Sequence, residues 1–119
     1  MASGYRSLNV WQRSMKVASQ ILKITTLFPK VHQLGLAQQM QRAAISIPSN
    51  IAEGANRISR KEYAQFLSIA LGSTGELETQ CSLAVMASLA TKKDFAFIMS
   101  ELDEIGKMLR VMIRTLSKS

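Results

Sequence analysis

The chain has 119 residues, of which 47% are hydrophobic and 19% charged, with a formal net charge of +7. That supports one hydrophobic core and not two, and it excludes a long disordered tail. A single cysteine, Cys81, excludes an internal disulfide; with no secretory h-region and no run of about eighteen apolar residues, a cytoplasmic protein without a membrane partner is expected.

Ala, Leu, Met, Gln, Lys and Glu fill the long segments, and no alternating β-branched run is long enough for a sheet, so the fold class is all-α. In chain order, a first helix is predicted over residues of about 9–27, with Ser7 as its N-cap and Phe28-Pro29 as its stop. A loop, PKVHQLG, leads to a second helix over about 36–57. Ser59-Arg60-Lys61-Glu62 has the form of a capping box and opens a third helix, about 60–90. Thr91-Lys92-Lys93-Asp94 repeats that form before a fourth, about 92–116. Four such helices with short connections make an antiparallel up-down-up-down four-helix bundle in a single domain, residues 1–119.

The first helix is more apolar than one core face requires. Trp11, Met15, Ala18 and Leu22 form one stripe, and Val10, Val17, Ile21, Ile24 and Phe28 form another beside it. Together they span about 200° of the helix, against somewhat over 100° for an ordinary surface helix. One stripe must be covered by something other than the core, and self-association is the favoured cover. Periodicity does not say which stripe faces the core; Val10, Val17, Ile21 and Ile24 are the expected subunit contacts.

Basic residues are unevenly placed, since the first acidic residue is Glu53. Arg13, Lys16 and Lys23 share the remaining arc of the first helix, with Lys30 just beyond its end, and Lys107, Arg110, Arg114 and Lys118 recur at helical spacing in the fourth. If the first and last helices are neighbours the two stripes can merge, giving a nucleic-acid-binding surface that acts through phosphate contacts. Lysines on an outer helix face are also ordinary solubilising residues. Trp11, Tyr63, Phe66 and Phe95 occupy core-compatible positions, which leaves little to stack on bases and favours structured RNA.

Chemistry has few candidates. His32 and Cys81 are the single histidine and cysteine, so no metal-ligand spacing exists and no metal or cofactor is expected. Gly72-Ser73-Thr74-Gly75 lacks the lysine and spacing of a phosphate loop, and its glycines are expected to permit close helix packing. No nucleophile has a specified base beside it, so a non-enzymatic protein is expected. The stretch SIPSNIAEGANR, which sets Pro48 and Gly54 inside a helix, is read as architecture. Arg42, Ser46, Asn50, Glu53 and Arg57 lie within one arc of the second helix, and folding back at Ile58 brings Arg42 beside Glu76 as a supporting pair.

These residues carry a resemblance. GLAQQMQRAAISIPSNIAEGANRISRKEYAQFLSIALGSTGELETQ, residues 35–80, resembles the four-helix-bundle family of proteins encoded within intervening sequences of bacterial 23S ribosomal RNA genes, and the likeness extends to Leu8-Asn9-Val10-Trp11 and Phe28-Pro29. Arg42-Ala43-Ala44, the run from Ser46 to Gly54, Arg57, Gly72-Ser73 and Glu76-Leu77-Glu78 stand as in the family's pattern. Two departures from it are local: where the family often has Glu-x-x-Gly-Leu before the second helix this chain has His32-Gln33-Leu34-Gly35-Leu36, and Gln41 replaces an arginine next to Arg42. The resemblance implies a homopentamer with a basic surface. It also implies kinship with the accessory variability protein of diversity-generating retroelements, which binds a reverse transcriptase and nucleic acid, so a protein-binding adaptor is the alternative role.

Overall fold

Four α-helices account for most of the chain: α1 (Asn9–Thr25), α2 (Gln38–Ala55), α3 (Arg60–Met86) and α4 (Ala96–Ser117). The structure, a computed structural model, describes residues 4–118, and no strand occurs among them. Each helix packs on its neighbour in the chain, and α1 closes against α4, giving a bundle of 48 × 26 × 22 Å. The long axis is set by α3, whose 27 residues span about 40 Å at 1.5 Å per residue.

The core is built from one face of each helix: Val17 and Ile21, Met40 and Ile47, Leu67 and Leu77, and Leu102 and Ile105 are all fully buried. This overturns the assignment of Val10, Val17, Ile21 and Ile24 to a subunit interface. The first three are at most 1% exposed within one chain, and Ile24 packs against the same cluster. The apolar surplus of α1 is the other stripe, with Met15 45% and Leu22 41% exposed.

Helix ends differ from expectation where tertiary contacts compete with local signals. Ser7 does not cap α1: its hydroxyl donates to Gly4 O in a short 3₁₀ turn, and Leu8 occupies the N-cap without a side-chain bond. The segment expected as loop is a 3₁₀ turn (Lys30–His32) followed by a π-helical turn (Gln33–Ala37), so α2 begins at Gln38. Gln33 Nε2 ties that turn to α1 by donating to Thr25 O at 3.0 Å and Phe28 O at 2.8 Å.

Ser59 caps α3, accepting from Glu62 N at 3.1 Å. Four residues earlier than expected, α3 ends at Met86 because Ser88 adopts a left-handed conformation (φ 61°). Leu89 N then donates to Ala84 O and Ser88 N to Val85 O, which is a Schellman termination without the usual glycine. Thr91 and Asp94 form the reciprocal capping bonds, Asp94 N to Thr91 Oγ1 and Thr91 N to Asp94 Oδ2. The turn they enclose is of the tight i→i+3 kind, so regular α4 starts at Ala96 and not at Lys92.

Candidate nucleic-acid interface and the polar seam beside it

Lys16 and Lys23 are exposed on α1, opposite its buried stripe, and Lys30 is exposed in the turn that follows. Arg13 is placed differently: its guanidinium reaches across to Glu101 of α4 at 3.5 Å, which takes it out of the free basic face. On α4, Lys107 pairs with Asp103 at 3.1 Å and Glu104 at 3.9 Å. The hydrogen bond and charge of Asp103, then Glu104, raise its ammonium pKa above the usual lysine value. Arg110, Arg114 and Lys118 are exposed.

The two basic stripes do not merge. Glu101 marks the edge of α4 that faces α1, and Glu104 follows it one turn on. Gly106 faces Leu71 of α3, and Arg110, four residues beyond Gly106, shares that flank. The α4 stripe therefore leans toward α3. At its end Lys118 meets two cations that sequence reasoning passed over, Arg60 and Lys61 at the start of α3, around one cavity. Both lie inside the Ser59–Glu62 capping box, whose spacing signals only a helix start.

Between α2 and α3 the small polar residues form a seam. Ser46 Oγ and Ser73 Oγ share a hydrogen bond of 2.8 Å, and Asn50 Nδ2 donates to Ser46 O at 2.8 Å and Ser46 Oγ at 2.9 Å. Arg42 and Glu76 line one small polar cavity of about 210 Å³ with Ser46 and Ser73. Both are exposed, and the ion pairs among the described residues do not include them, so the expected supporting pair is not formed. Glu53 instead pairs with Arg57 at 3.1 Å, and the Arg57 guanidinium lies 4.8 Å over the Phe66 ring while reaching Glu62 at 4.0 Å. These contacts clamp the α2–α3 turn.

Gly54 sets the spacing of that clamp. A Cβ added there would meet Phe66 Cβ at 2.8 Å, Tyr63 Cδ1 at 3.0 Å and the Tyr63 carbonyl at 3.2 Å, so only glycine lets the helices approach this closely. Gly72 and Gly75 behave otherwise: an added Cβ meets nothing within 4 Å, and the expected role in close packing within the chain does not apply. Pro48 is buried in α2 beside the Ser46–Asn50 bonds. Cys81 is buried, and desolvation followed by the charge of Glu78 pushes its thiol up to about 12.

A third feature is an apolar groove of about 450 Å³ between α1 and α2, walled by Trp11, Met15 and Leu22 on one side and Ile45 and Pro48 on the other. Tyr5 closes one end, its ring edge-on to Trp11 at 5.3 Å. No helix among the described residues is long and apolar enough to cross a membrane.

A sequence profile described as "23S rRNA-intervening sequence protein" matches residues 6–111, which is most of the chain. The chain belongs to the 23S rRNA-intervening sequence protein family. A search of curated proteins found no match. Among solved structures, a protein of unknown function from the S23 ribosomal protein family of Bacteroides thetaiotaomicron is similar at a TM-score of 0.81, with 26% identity over 88% of this chain and 98% of that one. The span that defines the 23S rRNA-intervening sequence protein family here takes in α1, the polar seam and Gly54, and it stops before Arg114 and Lys118.

Proposed function

We propose that this 23S rRNA-intervening sequence protein is a non-enzymatic, cytoplasmic nucleic-acid-binding protein that holds structured RNA by phosphate contacts. The observation that carries the reading is the α1 outer face: Lys16, Lys23 and the adjacent Lys30 are exposed, and no acidic side chain precedes Glu53 in the sequence. Arg110, Arg114 and Lys118 supply a second basic edge, whereas Arg13 and Lys107, held in ion pairs, contribute less. Phosphate neutralisation lowers affinity linearly on a log-log plot against salt, with a slope of roughly 0.7 to 0.9 per contact. Anisotropy of labelled RNA across a salt series tests this. Changing Lys16 and Lys23 to Glu should weaken binding and flatten the slope with helicity unchanged, and no affinity of the wild type at low salt would refute the reading.

We further propose that the four helices run up-down-up-down in an antiparallel bundle and that the chain is a homopentamer, as the family resemblance implies. The apolar groove of Trp11, Met15, Leu22 and Ile45 supports self-association, since exposed apolar surface of this kind is uncommon on monomers. Light scattering should give about five times the 13.2 kDa chain mass, and Met15→Glu with Leu22→Glu should lower it. A stable monomer at micromolar concentration refutes the assembly. The same groove favours the second reading, a protein-binding adaptor of the reverse-transcriptase accessory type. Capture of such an enzyme by a chain with no RNA affinity would decide for it.

A further inference from the structure

Where α3 begins and α4 ends, a cavity of about 580 Å³ opens at one end of the bundle. Arg60 and Lys61 reach it from the first turn of α3 and Lys118 from the residue after α4, and no acidic side chain lines it among the described residues. Ala64, Ile113 and Leu116 form an apolar floor, while Gln65 and Ser117 add neutral donors at the wall. We propose that this cavity is a nucleotide-phosphate site: Arg60, Lys61 and Lys118 hold the phosphate of one unpaired nucleotide in a single-stranded loop or end of a structured RNA, and its base lies on Ala64, Ile113 and Leu116. The proposal rests on the RNA reading above and adds to it a defined pocket on a different face from Lys16 and Lys23.

Three observations carry it. Arg60 is already oriented, because one Nη2 hydrogen is donated to Thr115 O at 2.8 Å. Its other N–H groups remain as a planar fork of the kind that matches phosphate oxygens. Second, the nearest acid in sequence, Glu62, is engaged elsewhere, with Ser59 and Arg57, so it does not neutralise the cluster. Three like charges converging on one concave surface raise the local potential for an anion there. Third, the volume lies within the roughly 300–1,000 Å³ usual for small-molecule sites. A nucleotide joins an anionic phosphate to a flat base in one unit, which matches three cations beside an apolar floor.

The test uses the full chain, labelled for amide NMR, titrated with a trinucleotide and with a twin whose phosphates are replaced by uncharged methylphosphonates. Amides of Lys61, Ser117 and Lys118 should shift with the charged form, at clearly higher affinity than with the twin. Lys61→Gln combined with Lys118→Gln spares the Arg60 bond to Thr115, so α4 keeps its end, and it should weaken binding roughly tenfold or more, as loss of charge-assisted hydrogen bonds does. Shifts confined to the Lys16/Lys23 face would overturn the site and leave the RNA reading standing. Equal shifts with poly-glutamate would overturn it in favour of an acidic protein segment. Phosphate-dependent shifts at the cavity without any binding of long RNA would keep the phosphate site and refute the RNA reading.

Discussion

Replacing Gly54 by alanine tests the closest approach in the bundle. The new Cβ would sit 2.8 Å from Phe66 Cβ and 3.2 Å from the Tyr63 carbonyl, where carbon contacts are optimal at about 3.5–4.0 Å. Neither obstacle is the free end of a flexible side chain, so α2 and α3 must separate, and overpacking of this kind costs about 1–3 kcal/mol. Alanine recovers at most about 0.8–1.0 kcal/mol of helix propensity, and less here because Gly54 is next to the last residue of α2. The expected net loss is about 1–2 kcal/mol, a fall in Tm of roughly 3–8 °C for a domain of this size. Thermal melts followed by circular dichroism measure it. Gly75→Ala is the matched control: its Cβ meets nothing within 4 Å, so propensity alone acts and stability should rise by roughly 0.5–1 kcal/mol. A Gly54→Ala protein as stable as wild type would refute the close-approach argument. A destabilised Gly75→Ala protein of reduced mass would show that this face of α3 packs against another copy.

The seam distinguishes a partly buried hydrogen bond from a pair of exposed charges. Ser73→Ala removes the partner of Ser46 Oγ and should cost about 1 kcal/mol, whereas Arg42→Ala and Glu76→Ala should each stay within about 0.5 kcal/mol and be additive in the double variant, as chemical denaturation will show. Asp94 has its carboxyl held below the usual carboxylate value, first by the Thr91 N–H and then by the Thr91 hydroxyl. A depressed folded pKa gives stability that is present above the unfolded value of 3.8 and is lost as pH falls through the lower folded value. Carbon-detected NMR titration should place Asp94 below 3.8, and Asp94→Asn should remove this part of the acid dependence; an ordinary titration at 3.8 would contradict the capping role. The Cys81 thiol, pushed up to about 12 by burial, should resist thiol-disulfide reagents at neutral pH until the chain unfolds. Rapid labelling under native conditions would show that α3 opens locally.

Helix existence and several helix starts were legible in the sequence because they depend on contacts within one turn. Ser59 with Glu62, and Thr91 with Asp94, form the bonds their spacing announces. The family likeness was legible for the same reason: the run from Arg42 to Glu78 carries it in residue order. Orientation about each helix axis was not. Both apolar stripes of α1 satisfy helical periodicity, and only packing against α2 and α4 put Val10, Val17 and Ile21 inside and left Met15 and Leu22 on the groove. Charge availability was equally hidden, since Arg13 is neutralised by Glu101, far away in the chain and brought near by the α1–α4 contact. The end of α3 escaped notice because Ser88 supplies the left-handed turn that glycine would have signalled, and the role of Gly54 could be separated from those of Gly72 and Gly75 only by what stands opposite each. Spacing along the chain determines which residues share a face of one helix; the face of the neighbouring helix, which depends on crossing and register between distant segments, decides what that face becomes.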